Sequence, residues 1–151
     1  MRASLRASVS VAAPAGQVWD YLTDWPRQGE WIPFTRVEEL ADGHRAGGRV
    51  RAWTGLGPLG FWDPMTITAW EQDADGSARC EVLHTGRVLR GEGEFAVTRL
   101  DAASCTFTWW ERLEVPGGPL GAVAWRVVGP LVQRSVDGAL RTLARRVEDA
   151  A

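Results

Sequence analysis

The stretch from Pro119 to Glu148 constrains the fold more than any other part of the chain. Its apolar residues recur three or four positions apart, which predicts a helix about 45 Å long at roughly 1.5 Å per residue. Pro130 lies inside this pattern and has no N–H to donate, so we expect a kink or break at Gly129-Pro130 with a helix on both sides. A helix of this length needs a large apolar surface on which to lie. Its apolar positions are Leu120, Val123, Ala124, Val127, Leu131, Val136, Ala139, Leu140, Leu143 and Val147.

The rest of the chain consists mainly of strand patterns, in which apolar and polar residues alternate. Residues 3–11 form the first. A short helix then opens at Pro14 and ends at Asp24-Trp25-Pro26, and Trp31 begins a turn or second small helix that closes one end of the fold. Because no long helix separates the later strands, the sheet is predicted to be antiparallel. The six later strands are 34–40, 49–54, 61–71, 78–85, 88–100 and 104–115, with a glycine-rich hairpin loop at 55–60.

The length, net charge and cysteine content of the chain narrow the classes of protein to which it can belong. The 151 residues predict a single domain, 1–151. The formal net charge of −2 argues against a nucleic-acid partner. No signal-peptide block and no apolar run of membrane-spanning length are visible, so we expect a cytoplasmic protein without membrane insertion, either a monomer or a homodimer. Cys80 and Cys105 lack metal-site spacing, so free thiols are expected, and we expect neither a metal nor a cofactor.

Three sequence segments, taken with the order of the elements, point to a known fold. They are the "AP…VW" segment at 13–19 with Asp24 soon after it, the W–E–L pattern at 109–113, and the terminal helix with its internal proline. Together they resemble the START-like helix-grip superfamily (SRPBCC), which includes polyketide cyclase/dehydrase and lipid-transport proteins. The resemblance covers essentially the whole chain and implies an α+β fold. In that fold a curved seven-stranded antiparallel sheet wraps around a long C-terminal helix, with two short helices between strands 1 and 2 and an apolar cavity. Fold alone does not decide the reaction.

Glu111 breaks the apolar pattern of the strand at 104–115. Its odd positions form the inward face, where Phe107 and Trp109 are its neighbours, and burying a carboxylate is costly without a partner. Two interpretations stay open. Either Glu111 lies near the cavity mouth or pairs with an arginine such as Arg51 or Arg126, or it is a polar anchor or acid/base group with a raised pKa.

Two further polar residues are candidates for the same face. His84 shares a face with Cys80, and if that face is inward, a pair of His84 with Glu111 could orient a carbonyl group or move a proton. The alternative is a histidine that bonds locally near the strand end. Asp63 shares a face with Met65 and is a third candidate, although its place before a proline also suits a bulge or an edge.

Three functions are compatible with these residues, and binding is favoured over catalysis. The first is binding of a small hydrophobic molecule (a lipid, polyketide or aromatic compound), since apolar pockets are lined by aromatic side chains and the chain has nine Trp. The second is a polyketide cyclase/dehydratase with Glu111 and His84 as acid and base. The third is a regulatory or interaction protein whose cavity is filled by its own Trp side chains. The expected ligand contacts are Trp109, Phe107, Met65, Asp63, Trp125 and Val127, with His84 and Glu111 as polar anchors.

Overall fold

The computed structural model describes residues 1–151 as seven strands, two α-helices and one 3₁₀ helix. Its order of elements confirms the predicted α+β helix-grip fold, including the two short helices between the first two strands. The elements are β1 (Arg2–Val11), α1 (Ala15–Leu22), the 3₁₀ helix (Trp25–Glu30), β2 (Thr35–Ala41), β3 (Arg49–Leu56), β4 (Leu59–Gln72), β5 (Ala78–Thr85), β6 (Arg90–Asp101), β7 (Ser104–Glu114) and α2 (Gly118–Ala150).

All seven strands form one antiparallel sheet in the order β1-β7-β6-β5-β4-β3-β2. The first and second strands of the chain are therefore the two edges. β6 lies between β5 and β7, which separates Cys80 on β5 from Cys105 on β7, and both are buried free thiols. The alternation in β1 shows the cause of the two faces, because Ala3, Leu5 and Ala7 are buried while the intervening polar residues are exposed.

Two element boundaries differ from the sequence prediction. The predicted loop at 55–60 is mostly strand, because β3 continues to Leu56 and β4 resumes at Leu59, and only Gly57-Pro58 remains as the turn. Gly57 has a φ of +56°, which glycine adopts without a steric penalty. The second small helix begins at Trp25, inside the Asp24-Trp25-Pro26 segment that was expected only to end α1. The indole N–H of Trp25 donates to the carbonyl of Gly43 at 2.7 Å, which holds this helix against the β2–β3 connection.

The terminal helix α2 passes through Pro130 without a break. A proline removes the hydrogen bond to the carbonyl four residues earlier, here that of Arg126. Both Pro130 and Arg126 are exposed, so this carbonyl lies on a part of the helix where water can serve it. No helix of the structure combines the length and apolar character needed to cross a bilayer.

The apolar residues of the two halves of α2 lie on different sides of the helix, and only those of the second half are buried, which corrects the prediction of one continuous apolar stripe. In the second half the predicted positions are buried, with Leu140 and Leu143 at 1% and 0% exposure. In the first half, Leu120 and Val127 are 82% and 69% exposed. At about 100° per residue these two positions lie on roughly the opposite side of the helix from Leu140. Gly129 of the first half is buried, and it lies on the same side of the helix as Leu140.

α2 packs mainly along the edge strand β1. The side-chain amide of Gln133 donates to the carbonyl of Arg6 at 2.9 Å, and the carboxylate of Glu148 accepts from the backbone N–H of Ala12 at 2.9 Å. An edge strand otherwise presents unpaired backbone groups to other chains. The helix therefore covers part of this edge.

Candidate functional site

The inward face of the sheet brings three polar side chains together. Asp63 lies on β4, His84 on β5 and Glu111 on β7, and all three come from positions that alternate with outward residues. In the strand register, His84 lies beside Met65 of β4 and Gly91 of β6, and Glu111 lies beside Gly93 of β6. The three groups therefore form a diagonal line across the sheet, which we call the polar line.

His84 and Asp63 form the buried end of the polar line. The Nδ1–H of His84 donates to both carboxylate oxygens of Asp63, at 3.0 Å to Oδ1 and 2.9 Å to Oδ2. The whole residues are only 4% and 5% exposed. Because a carboxylate only accepts hydrogen bonds, this contact places a proton on Nδ1 and leaves Nε2 as the nitrogen that can gain or lose one.

Glu111 forms the other end of the polar line. Its Oε1 lies 3.8 Å from Nε2 of His84, beyond hydrogen-bond distance, and accepts a hydrogen bond of 2.9 Å from the indole N–H of Trp109. Nε2 of His84 is buried and has no hydrogen-bond partner. The Glu111 side chain is 14% exposed, against 3% for His84, so Glu111 is the more accessible of the two.

The surroundings raise the pKa values of both groups. For Glu111, burial raises the pKa because it penalises the charged carboxylate, and the nearby His84 and the Trp109 hydrogen bond offset part of this effect. For His84, burial alone lowers the pKa. The hydrogen bond to Asp63 and the charges of Glu111 and Asp63 outweigh that burial, so the pKa of His84 is raised. Both groups therefore hold a proton more readily than in water, as acid–base residues in active sites do.

An aromatic cluster covers the inward face next to the polar line. Trp31, which follows the 3₁₀ helix, stands edge-on to Phe107 and Trp109 with ring centroids 6.0 and 5.9 Å apart. Phe95 of β6 lies 5.3 Å from Trp109. Phe107 is completely buried beneath this cluster, whereas Trp109 and Phe95 are half-buried. Trp31 was expected only to close one end of the fold, and no spacing in the sequence ties it to β6 and β7.

Of the remaining candidates for ligand contact, one lies next to the polar line and two lie on the terminal helix. Met65 is half-buried on β4 beside His84, so it lies next to the polar line. Trp125 is half-buried and Val127 is exposed, and both belong to the first half of α2.

The arginines proposed as partners of Glu111 are not its partners. Arg51 forms a salt bridge of 2.7 Å with Glu38 on β2 and stacks over Trp62, and Arg126 is exposed. This part of the prediction was wrong because the side chain of Arg51 belongs to the outward face of β3, opposite to that of Glu111.

One surface groove, of about 480 Å³, has His84 among its lining residues, beside Glu92 and Arg112. Two other grooves and a group of potential metal ligands lie away from the polar line. A groove of about 590 Å³ lies between α1, the 3₁₀ helix and the end of α2, and one of about 310 Å³ is lined by Arg2, Arg87 and Arg90. Glu39, Asp42 and His44 place potential ligand atoms within 4.8 Å of one another, but all three are exposed. The apolar cavity between sheet and helix remains a prediction.

Comparisons with known proteins agree with this architecture. The structure of the ZhuI aromatase/cyclase from Streptomyces sp. R1128 superposes with a TM-score of 0.72 at 21% identity, over 98% of this chain and 94% of the other. The protein TTHA0849 from Thermus thermophilus gives a TM-score of 0.78 at 18% identity, over 99% of both chains.

Norcoclaurine synthase from Thalictrum flavum, solved with dopamine and hydroxybenzaldehyde, gives 0.65 at 14% identity, over 100% of this chain and 89% of the other. At these identities the likeness establishes the fold alone. Among curated protein sequences, none matches. The profile of the family described as "Polyketide cyclase / dehydrase and lipid transport" matches residues 2–148, so this chain belongs to that family.

Proposed function

We propose that this protein binds a hydrophobic polyketone on its inward face and acts on it as a polyketide cyclase/dehydratase. The observation that carries the proposal is the buried Asp63–His84 pair, whose unpartnered Nε2 faces Glu111 at 3.8 Å. Burying titratable side chains away from water costs free energy of folding, so the presence of this pair supports chemistry that needs a movable proton. Membership of the family and the likeness to an aromatase/cyclase support the same substrate class.

Glu111 is the group that contacts the substrate in this proposal, because it is the most exposed member of the polar line. As a carboxylate it takes a proton from the methylene carbon between two ketone groups. The resulting enolate carbon forms a bond to the carbon of a more distant carbonyl group of the same substrate. Glu111 then returns the proton to the oxygen of that carbonyl group. A second α-proton and the new hydroxyl group then leave as water, with Glu111 again carrying the proton. No oxidant or reductant is needed.

His84 and Asp63 support this proton transfer from behind Glu111. The imidazole exchanges a proton with Glu111 through Nε2, while Asp63 holds Nδ1–H and orients the ring. Positioned acid–base groups of this kind contribute about 10²–10⁴-fold to a rate. The half-buried Trp109, Phe95 and Met65 supply apolar surface for the rest of the substrate.

The test is turnover of a linear poly-β-ketone thioester by the wild type and by Glu111→Gln, followed by mass spectrometry, with binding followed by Trp fluorescence. Glu111→Gln is expected to lose at least about 100-fold in turnover and to keep its affinity within a few-fold. Glu114→Gln is the matched control, because Glu114 lies on the same strand but is exposed. Wild-type turnover by Glu111→Gln would overturn the catalytic role.

Binding without chemistry is the second candidate, and the Trp109–Glu111 hydrogen bond favours it. A carboxyl group fixed by an indole N–H beside an aromatic cluster is also a suitable polar anchor for a flat ligand. In that case the same experiment gives a different result. The wild type binds the thioester and returns it unchanged, and Glu111→Gln weakens the binding.

A further inference from the structure

His84 and Glu111 come from strands that are not neighbours. β6 lies between β5 and β7, so the backbones of the two residues are two strand spacings apart across the sheet, roughly 9–10 Å. They are also offset by two residues along the strands, because His84 pairs with Gly91 and Glu111 pairs with Gly93. Their reacting atoms are nevertheless only 3.8 Å apart. The two side chains must therefore lean towards each other over β6, and whatever β6 presents on its inward face stands between them.

The residue that β6 presents at this point is Gly93. It lies in register with Val82 of β5 on one side and with Glu111 of β7 on the other. A Cβ atom at Gly93 would lie 3.3 Å from Nε2 of His84, 3.6 Å from Cγ of Glu111 and 3.2 Å from Cγ2 of Val82. Any side chain here would occupy the space through which His84 and Glu111 approach each other.

Glycine is not required here by the backbone, which distinguishes Gly93 from Gly91 on the same strand. Gly91 has a φ of +135°, and a Cβ there would lie 2.1 Å from the carbonyl oxygen of Arg112, so only glycine fits. Gly93 has no positive φ, and the atoms around its missing Cβ are side-chain atoms. Its lack of a side chain therefore affects the space between the acid–base groups.

We propose that Gly93 is a positioning residue, whose missing side chain lets His84 and Glu111 act as one proton-sharing pair across β6. This inference rests on the proposed function, because the pair matters only if Glu111 transfers protons. It places the reacting groups of the substrate above Gly93, where a larger residue would separate the acid–base pair. The other titratable group that faces the pair is Asp63 on β4, which contacts His84 from the opposite side.

The test is Gly93→Ala, read out by the pH profile of turnover and by NMR titration of labelled His84 and Glu111. In the wild type, each group is expected to sense the titration of the other. In Gly93→Ala we expect this coupling to be measurably weaker, with turnover reduced at least tenfold and KM changed less than threefold. An unchanged coupling and pH profile in Gly93→Ala would overturn the proposal.

Val82 supplies the control, because its Cγ2 is the atom closest to the added methyl group. The variant Val82→Ala/Gly93→Ala relieves that packing contact and leaves the methyl group between His84 and Glu111. We expect the double variant to keep the weaker coupling and slow turnover of Gly93→Ala, while Val82→Ala alone resembles the wild type. Recovery of coupling and turnover in the double variant would show that Gly93 acts only through packing. The NMR titration needs no turnover, so an active Glu111→Gln would refute the proposed function without deciding the role of Gly93.

Discussion

Replacing His84 by leucine is expected to lower the free energy of unfolding by about 3–5 kcal/mol, because it leaves the carboxylate of Asp63 buried without a charged partner. The structure places this substitution at the high end of single-residue effects. The side chains of His84 and Asp63 are 3% and 8% exposed, and they are joined at 2.9 Å. Water therefore cannot replace the lost imidazole, and screening by solvent is small.

Urea denaturation at pH 7 measures this loss, and a second variant tests its cause. Asp63→Val/His84→Leu removes both charges, and apolar replacement of a complete buried pair is often nearly neutral. We expect the double variant to regain more than half of the stability lost by His84→Leu. A loss below about 1 kcal/mol, or a double variant less stable than His84→Leu, would refute the view that the pair is a buried charge pair.

Two further predictions concern protonation. The folded pKa values of Glu111 and His84 are raised above their ordinary values of 4.5 and 6.5, so the folded state binds more protons than the unfolded chain above these values. The free energy of unfolding should therefore fall as the pH rises from about 4.5, and Glu111→Gln should flatten this dependence in urea titrations; an identical slope in the variant would contradict the assignment. Burial raises the pKa of the Cys80 thiol to about 12 and also raises that of Cys105. A maleimide should thus label neither cysteine in the native protein at pH 7 and both in urea, and rapid native labelling would show that the inward face opens.

The sheet was predictable from sequence because apolar and polar residues alternate along most of its strands. In β7, the inward series Cys105, Phe107 and Trp109 identifies the buried face without any knowledge of the partner strands. The same parity places Glu111 inward, and the structure agrees with that placement. The sequence analysis also named His84 as a possible partner of Glu111, and the two side chains lie 3.8 Å apart. The contact of Asp63 with His84 was not predicted, because it depends on how β4 and β5 pair, which the sequence of each strand does not contain.

The first half of α2 shows what periodicity leaves out. Leu120, Val127 and Leu131 have helical spacing, as do the buried residues Val136 and Leu140, so the two sets look like one stripe. Spacing reports that a helix forms, but the step of five residues from Leu131 to Val136 turns the helix by about 500° at roughly 100° per residue. The second set therefore begins about 140° away from the first, which leaves the first set facing solvent.

Asp63 and Gly93 show a similar limit at the candidate site. An aspartate before Pro64 suits an edge or a bulge, so its sequence context concealed a direct partner of His84. Gly93 is one of 17 glycines in the chain. Its importance depends on two side chains from other strands, so only the three-dimensional arrangement distinguishes it from a glycine required by a turn.

The pairing of β1 also determines when this domain can be completed during synthesis. Ser8 meets Thr108 one hundred residues later, and Ala12 bonds Glu148 across an interval of 136 residues. β1 leaves the ribosome before the other six strands, so it has no sheet partner until β7 emerges, and its free edge stays open until α2 follows. Long-range pairing of this kind slows folding and prolongs the exposure of apolar strands. Nascent chains that stall between β7 and the end of α2 would therefore carry an almost complete sheet with an uncovered edge, which is the form of this protein most exposed to aggregation.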